Sequence, residues 1–187
     1  LRNSTWKLRR IIMEINQELV DAINDQLNFE LYSAFIYLSM ATWFEDQNLT
    51  GMAHWMEVQY QEEFDHAMRF YRHLTERGAR VLMKQIDAPK TEWKSAHEVF
   101  ADAYHHETIV TERIYKIGEI ADRLGDRSTQ AMLTWFYNEQ TEEEKNTMEL
   151  RDKLKLIGDS IPALLQLDAQ AGARPPAPPV PAESTAP

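Results

Sequence analysis

The amino-acid sequence predicts an all-α protein: an up-down four-helix bundle with one long crossover connection and a short fifth helix near the C-terminus. Apolar residues recur at steps of three and four along most of the chain, and no stretch alternates with a period of two long enough to indicate a sheet. Between Met13 and Gly78 the sequence has no proline, and its only glycine is Gly51. Segments of roughly 30 residues make helices about 45 Å long, which are stable chiefly when they pack along their whole length.

Capping residues divide the helical part of the chain into five elements. We predict helices over residues 14–44, 49–77, 95–125, 127–156 and 161–171. Gly78 follows the second helix as a C-terminal cap, and Ser95 with Glu98 forms the capping box that begins the third. Ser160 as N-cap, with Pro162 in the first turn, begins the fifth helix.

The joints between the helices predict how the bundle is connected. Short joints link the first helix to the second and the third to the fourth, which makes each pair an antiparallel hairpin. The segment 78–94, which contains Pro89, is long enough to travel the length of the bundle. We therefore expect one long crossover, with the second and third helices running parallel.

The two ends of the chain do not fit the bundle pattern. Residues 1–12 include four basic residues and no acidic one, and six of the eight prolines lie at or after Pro175. A Pro/Ala-rich stretch can form neither a regular helix nor a core. We expect a basic extension over 1–12 that is disordered or not native, one folded domain over 13–172, and a disordered tail over 173–187.

Composition excludes several classes of function. The 187 residues include no cysteine, which rules out disulfides, thiolate metal sites and cysteine nucleophiles, so a metal would be held by carboxylate, imidazole or amide groups. With 30 acidic against 20 basic residues the net charge is −10, which suits cations and disfavours nucleic acid as a partner. The sequence shows neither a membrane-spanning stretch nor an export signal, and we expect a cytoplasmic protein.

The candidate functional residues are polar side chains that interrupt the apolar stripes. Each long helix carries such residues near its midpoint: Glu30 and Tyr37, Glu63 and His66, Glu107, and Gln140 with Glu143. A buried carboxylate is costly unless it is paired or bound to a metal, and the inward faces supply no Lys or Arg at these levels. Glu63 and His66 stand three residues apart on one helix face, and carboxylate with imidazole suits iron, manganese or zinc. The pattern predicts a di-metal site in the bundle core.

Each of these residues has a simpler interpretation when it is taken alone. A lone Glu-x-x-His is more often a solvated pair than a set of ligands, and an inward tyrosine such as Tyr37 is more often a core aromatic. The metal hypothesis depends on the convergence of ligands from four separate helices. His105 and His106 flank the apolar stripe of the third helix, and we predict that both are surface residues.

Each long helix carries one distinctive stretch around its candidate residues. They are Asn28-Phe29-Glu30-Leu31-Tyr32-Ser33, Gln61-Glu62-Glu63-Phe64-Asp65-His66-Ala67, Tyr104-His105-His106-Glu107 and Trp135-Phe136-Tyr137-Asn138-Glu139-Gln140. These four stretches resemble the bacterial non-haem ferritins. The resemblance covers the folded domain and implies a ferritin-like four-helix bundle. It also implies a homo-oligomeric shell of twenty-four subunits that oxidises Fe(II) with dioxygen or hydrogen peroxide at a di-iron ferroxidase centre and stores ferric mineral inside.

The resemblance further implies a role for each candidate ligand. The first iron would be held by Glu30, Glu63 and His66. The second would be held by Glu107 and the bridging Glu63, with Gln140 at the second site. Tyr37 matches the tyrosine that stands beside the centre in this family.

A third, inner iron site is also implied, and its matching residues are Glu62, Glu139 and Glu143. Haem is not expected. The bacterioferritins have a second Glu-x-x-His and a haem-ligating methionine where this sequence has Gln140-x-x-Glu143 and Phe64.

Two other classes of function remain open from the sequence. A di-iron carboxylate oxidase or oxygenase that acts on a small organic substrate would use similar ligands, although such enzymes usually have a longer chain and a substrate cavity. A purely structural helical assembly would use no metal, and its buried carboxylates would only cost stability.

Overall fold

The computed structural model describes residues 15–176, and within them the regular secondary structure consists of five α-helices. They are α1 (Gln17–Asp46), α2 (Thr50–Glu76), α3 (Ala96–Leu124), α4 (Arg127–Ile157) and α5 (Ile161–Ala171). The five predicted helices are confirmed, with small shifts at their ends. The extension predicted over 1–12 and residues 177–187 of the predicted tail lie outside the described residues. Within the described range, no helix is long and apolar enough to span a membrane.

The predicted capping residues bound the helices with one exception. The Ser95 hydroxyl accepts a hydrogen bond from the N–H of Glu98 at 3.2 Å, and the Glu98 carboxylate accepts one from the N–H of Lys94 at 2.8 Å. Gly125 ends α3 in the left-handed conformation, with a φ of 66°. Ser160 stands at the N-cap position of α5, as predicted, but its side chain does not make the capping hydrogen bond that this position predicts.

The connection between α2 and α3 runs alongside α1 in the same direction. The Asn24 side chain accepts a hydrogen bond from the N–H of Leu82 at 2.7 Å, and further along α1 the Ser39 hydroxyl donates to the carbonyl of Lys90 at 2.7 Å. The connection therefore carries the chain back to the end of the bundle where α1 ends and α2 begins. Since α3 starts there too, α2 and α3 are parallel, as the length of the crossover predicted.

A layer of buried polar residues divides the apolar core into two clusters. The cluster nearer the α1–α2 turn includes Met40, Phe44, Met56 and Phe100. The cluster toward the other end includes Leu19, Ile23, Phe70, Ile114 and Phe136. Fully burying a large apolar side chain contributes about 1.5–3 kcal/mol, so the two clusters together can offset the cost of burying the polar layer between them.

Helix α5 packs across the start of α2 through a contact that requires glycine. The side chain of Asp168 accepts a hydrogen bond from the N–H of Met52 at 2.7 Å and so supplies α2 with the cap that its own sequence lacks. A Cβ atom on Gly51 would lie 1.9 Å from the carbonyl oxygen of Asp168. Because backbone cannot yield as a flexible side chain can, this close approach fixes α5 in place, with Leu167 and Ala171 buried beneath it.

Candidate metal centre

The polar layer between the two clusters is formed by the residues that the sequence singled out. Seven of the predicted site residues are at most 3% exposed: Glu30, Tyr37, Glu63, His66, Glu107, Gln140 and Glu143. They come from all four long helices, each near its midpoint. Burying four carboxyl groups in one layer of a protein core is costly unless cations or protons neutralise them.

Three of these side chains form what we call the first ligand group: Glu30, Glu63 and His66. Their ligand atoms lie within 4.8 Å of one another. Oε2 of Glu30, both carboxylate oxygens of Glu63 and Nδ1 of His66 are buried without a hydrogen-bond partner. The closest approach, 3.5 Å between His66 Nδ1 and Glu63 Oε2, is a contact and not a well-formed hydrogen bond. Buried polar atoms without partners are rare in proteins, and a metal ion placed among these residues would satisfy one atom of each.

Burial and neighbouring charges shift the pKa values of the first ligand group toward the protonated forms. Burial raises the pKa of Glu63 well above its ordinary value, and the nearby carboxylate of Glu107 raises it further. Burial lowers the pKa of the His66 imidazole, but Glu139, Glu63 and Glu30 together raise it more, so that its net pKa lies well above the ordinary range. A metal ion must therefore displace protons as it binds, which makes metal affinity depend on pH.

Glu107 is bonded differently, because both of its oxygens already have partners. The Tyr37 hydroxyl donates a short hydrogen bond to Oε1, and the Gln140 amide donates to Oε2 at 3.2 Å and to the Thr111 hydroxyl at 3.3 Å. Burial raises the pKa of Glu107 to about 7, although Tyr37 and Gln140 lower it. Gln140 thus stands beside Glu107, as predicted, but as a donor. To act as an oxygen ligand, its amide group would have to rotate so that the oxygen takes the place of the nitrogen.

A second ligand group lies next to the first and consists of His66, Glu139 and Glu143. Their ligand atoms also lie within 4.8 Å of one another. Gln59 donates a hydrogen bond to the Glu143 carboxylate at 2.8 Å. Burial raises the pKa of Glu143 to about 8, with a further contribution from the Glu107 carboxylate. Glu139 is only partly buried, so this group extends from the core toward the surface of the bundle.

Glu62, the remaining residue predicted for the inner site, is held by an arginine. Its Oε2 atom accepts a hydrogen bond from Nη2 of Arg174 at 2.5 Å. Burial raises the pKa of Glu62, while the guanidinium of Arg174 lowers it. The second ligand group has its ligand atoms within 4.8 Å of one another, and among the described residues Glu62 does not belong to it. The structure therefore gathers Glu139 and Glu143 but not Glu62.

Two residues that the sequence did not single out orient Glu30. The Gln26 amide donates to Oε1 of Glu30 at 2.9 Å, and Nε of Arg113 donates to the Gln26 oxygen at 2.8 Å. Gln26 precedes Glu30 by four residues, so helical spacing could have identified it. Arg113 comes from α3, and no local pattern indicates it. The prediction concerned the inward faces of the helices, and the half-buried Arg113 instead approaches Glu30 from outside the apolar stripe of α3, through Gln26.

His106 is also buried, so its predicted place on the surface is wrong. It is 8% exposed, and its Nε2 lies 2.7 Å from the Ser33 hydroxyl. The imidazole stacks on Phe29 with ring centroids 5.3 Å apart. Burial lowers the pKa of His106 to about 4, so the ring is neutral near pH 7. Helix α3 packs against α1 as well as α4, which makes its buried face wider than one stripe. His105 is exposed, as predicted.

The fold and the site together define a class of protein: a four-helix bundle whose helices each contribute ligands to a buried carboxylate and imidazole centre. The family model described as the ferritin-like domain matches residues 20–157. The chain therefore belongs to the ferritin-like family.

Similar proteins cover nearly the whole folded domain. A bacterial non-haem ferritin of Staphylococcus haemolyticus is 37% identical over 160 residues, which cover 86% of this chain and 96% of the relative. One from Bacteroides fragilis is 36% identical over 160 residues, covering 86% and 99%. Among solved structures, an open pore ferritin from the hyperthermophilic archaeon Archaeoglobus fulgidus superposes with a TM-score of 0.86 at 41% identity, over 87% of this chain and 100% of that chain. The resemblance to bacterial non-haem ferritins is confirmed.

Proposed function

We propose that this protein stores iron by oxidising Fe(II) at the buried centre and depositing ferric mineral inside a homo-oligomeric shell of twenty-four subunits. The observation that carries the proposal is the first ligand group, whose buried carboxylate and imidazole atoms lack hydrogen-bond partners. The mainly oxygen donors, with one imidazole, suit iron. The relatives named as ferritins support the storage role, and the shell is what the resemblance to that family implies.

The two sides of the centre differ in how readily they accept iron. The first ligand group has free ligand atoms and needs only to lose protons. At Glu107, a second Fe(II) must replace the hydrogen bonds that Tyr37 and Gln140 donate. Gln140 is neutral where a carboxylate would add charge, so the second Fe(II) is held more weakly than the first. Glu63 has two unpartnered oxygens and is the residue that can bridge the two ions.

Two adjacent ferrous ions make oxidation a two-electron event. The two electrons reduce one dioxygen, with two protons, to hydrogen peroxide, or reduce hydrogen peroxide, with two protons, to two waters. Hard oxygen ligands favour Fe(III) over Fe(II), which drives the transfer. The ferric product then leaves through Glu143 and Glu139 of the second ligand group, since Glu139 is partly exposed, and reaches the interior of the shell.

Aerobic addition of Fe(II) in large excess over protein tests the storage function. We expect a soluble ferric product that coelutes with the protein during size-exclusion chromatography, at the mass of a large shell. The same addition to buffer alone should give a ferric precipitate. If Fe(II) added with the protein oxidised only at the buffer rate and precipitated away from it, the storage function would be contradicted, and an organic substrate would then have to be sought.

A further inference from the structure

The peptide that follows α5 is fixed against α2 by Arg174. Its Nη1 donates a hydrogen bond to the carbonyl of Trp55 at 3.2 Å, and its guanidinium carbon lies 4.5 Å from the centroid of a Trp55 ring. The carbonyl oxygen of Arg174 lies 3.0 Å from Nε2 of His54. These contacts hold the residue on α2 independently of Glu62, two positions beyond the boundary at residue 172 that the sequence predicted.

The ion pair between Arg174 and Glu62 is partly withdrawn from solvent. The two side chains are 16% and 18% exposed, and the nitrogen and oxygen are 2.5 Å apart. A charge-assisted hydrogen bond of this kind is stronger than a neutral one, and partial burial reduces its screening by salt. The guanidinium occupies Oε2 and places a positive charge beside the carboxylate, so a metal ion that approaches Glu62 meets an occupied oxygen and a like charge.

Arg174 contributes its charge to a groove of mixed lining that also contains three glutamates. The groove has a volume of about 420 Å³, lies between α2 and α4 beneath the end of α5, and is lined by Glu62, Glu142 and Glu149 as well as Arg174. The other basic residue in the lining, Lys153, lies 4.0 Å from Glu149. Glu62 is thus the acidic residue of this groove that Arg174 neutralises directly.

We propose that Arg174 is a built-in cation that keeps Glu62 from binding metal, so that an inner site combining Glu62 with Glu139 and Glu143 forms only when Arg174 swings away. The inference rests on the proposed function, because it treats Glu62 as a ligand for iron that is leaving the oxidation centre. A metal ion can use the inner site only in those chains in which Arg174 has left Glu62, so the apparent affinity of the site falls in proportion to that fraction. The docking of Arg174 thereby controls how long iron dwells on its way out of the bundle.

Titration calorimetry with Co(II) on the metal-free, full-length protein tests this inference. Co(II) reports binding without the oxidation step. In the native protein we expect two tighter ions per chain and a weaker third. The Arg174→Gln substitution should tighten the third by about tenfold, as expected when a partly buried ion pair no longer competes. Arg174→Lys keeps the positive charge and should leave the third ion weak. Arg151→Gln removes the same charge from an arginine that contacts Tyr104 and Asp152 on α3 and α4, and should have no effect.

The double variant Arg174→Gln with Glu62→Gln identifies the carboxylate responsible. It should lose the tenfold gain, and anomalous scattering from Co(II) crystals of the single variant should place an ion at Glu62. Unchanged affinity for the third ion in Arg174→Gln, or a gain that survives the loss of Glu62, would overturn the inference. Failure of the proposed function gives a separate result, because excess Fe(II) added to the native protein would then precipitate away from it, whatever the affinity of each variant for the third Co(II) ion.

Discussion

Replacing Glu63 with alanine should lower the initial rate of Fe(II) oxidation by at least about 100-fold. Glu63 belongs to the first ligand group and is the proposed bridge between the two iron ions, so its loss should weaken both iron positions at once. The rate is measured by stopped-flow absorbance of the ferric product after mixing with two Fe(II) per chain in air. Glu57→Ala, at an exposed position on the same helix, removes the same charge and should keep the native rate.

Replacing Glu63 with methionine, which has a similar volume and no charge, should make the metal-free protein more stable. Both carboxylate oxygens of Glu63 are buried without partners, and removing an unsatisfied buried acid relieves its desolvation cost. The variant should therefore melt at a higher temperature than the native metal-free protein while losing the oxidation activity. A Glu63→Ala protein that oxidised Fe(II) at the native rate would contradict the assignment of this residue.

The metal-free protein should lose stability as pH rises from 6.5 to about 8. Burial gives Glu107 a pKa of about 7 and Glu143 a pKa of about 8, against an ordinary 4.5. The unfolded chain gives up these protons near pH 4.5 while the folded chain keeps them, so folding is favoured at low pH and disfavoured as these groups ionise. For Glu107 alone the difference corresponds to about 3 kcal/mol between pH 4.5 and about 7, so most of its effect falls below this window and Glu143 dominates within it. The raised pKa of His66 acts in the same direction.

The pH window avoids an opposing effect from histidines that are buried in the neutral form. Burial lowers the pKa of His106 to about 4, and it also lowers the pKa of His73. Both residues therefore cost stability as pH falls below their ordinary value of 6.5 and contribute no slope above it. Above pH 6.5 the raised carboxyl groups and His66 dominate the expected trend.

Melting temperatures recorded between pH 6.5 and 8 test this trend. Saturating Co(II) should abolish or reverse the decline, because the metal binds the ionised ligands of the folded state only. Glu143→Gln should flatten the curve of the metal-free protein, since its amide does not titrate. A metal-free melting temperature that rose steadily over this range would show that the layer is not held by protons.

The sequence could predict most of the bundle and most of the centre because both depend on helical spacing. Glu30, Glu63, His66 and Glu107 interrupt apolar stripes at regular intervals, and such stripes become the buried faces of the helices. Gln140 was found in the same way. Burial and close approach of these residues then follow once the four helices pack side by side.

The contacts that the sequence did not predict join residues far apart in the chain. Arg113 reaches Gln26 across 87 positions, and Arg174 reaches Glu62 across 112. Neither arginine lies on an apolar stripe, and long basic side chains can approach a core from its edge while their charge stays partly solvated. The prediction of a surface position for His106 is wrong because it assumes one apolar stripe per helix. Helix α3 packs against α1 as well as α4, so residues beside its stripe are buried too.

The number of Fe(II) ions oxidised rapidly per chain tests the two-metal centre most directly. Small additions of Fe(II) to the metal-free protein in air should give a fast phase that saturates at two ions per chain, with one dioxygen consumed for each pair when hydrogen peroxide is the product. Glu107→Ala should remove the fast phase while the first ligand group still binds one Fe(II) in the absence of oxygen. A fast phase in the native protein that saturated at a single iron per chain would contradict the paired mechanism.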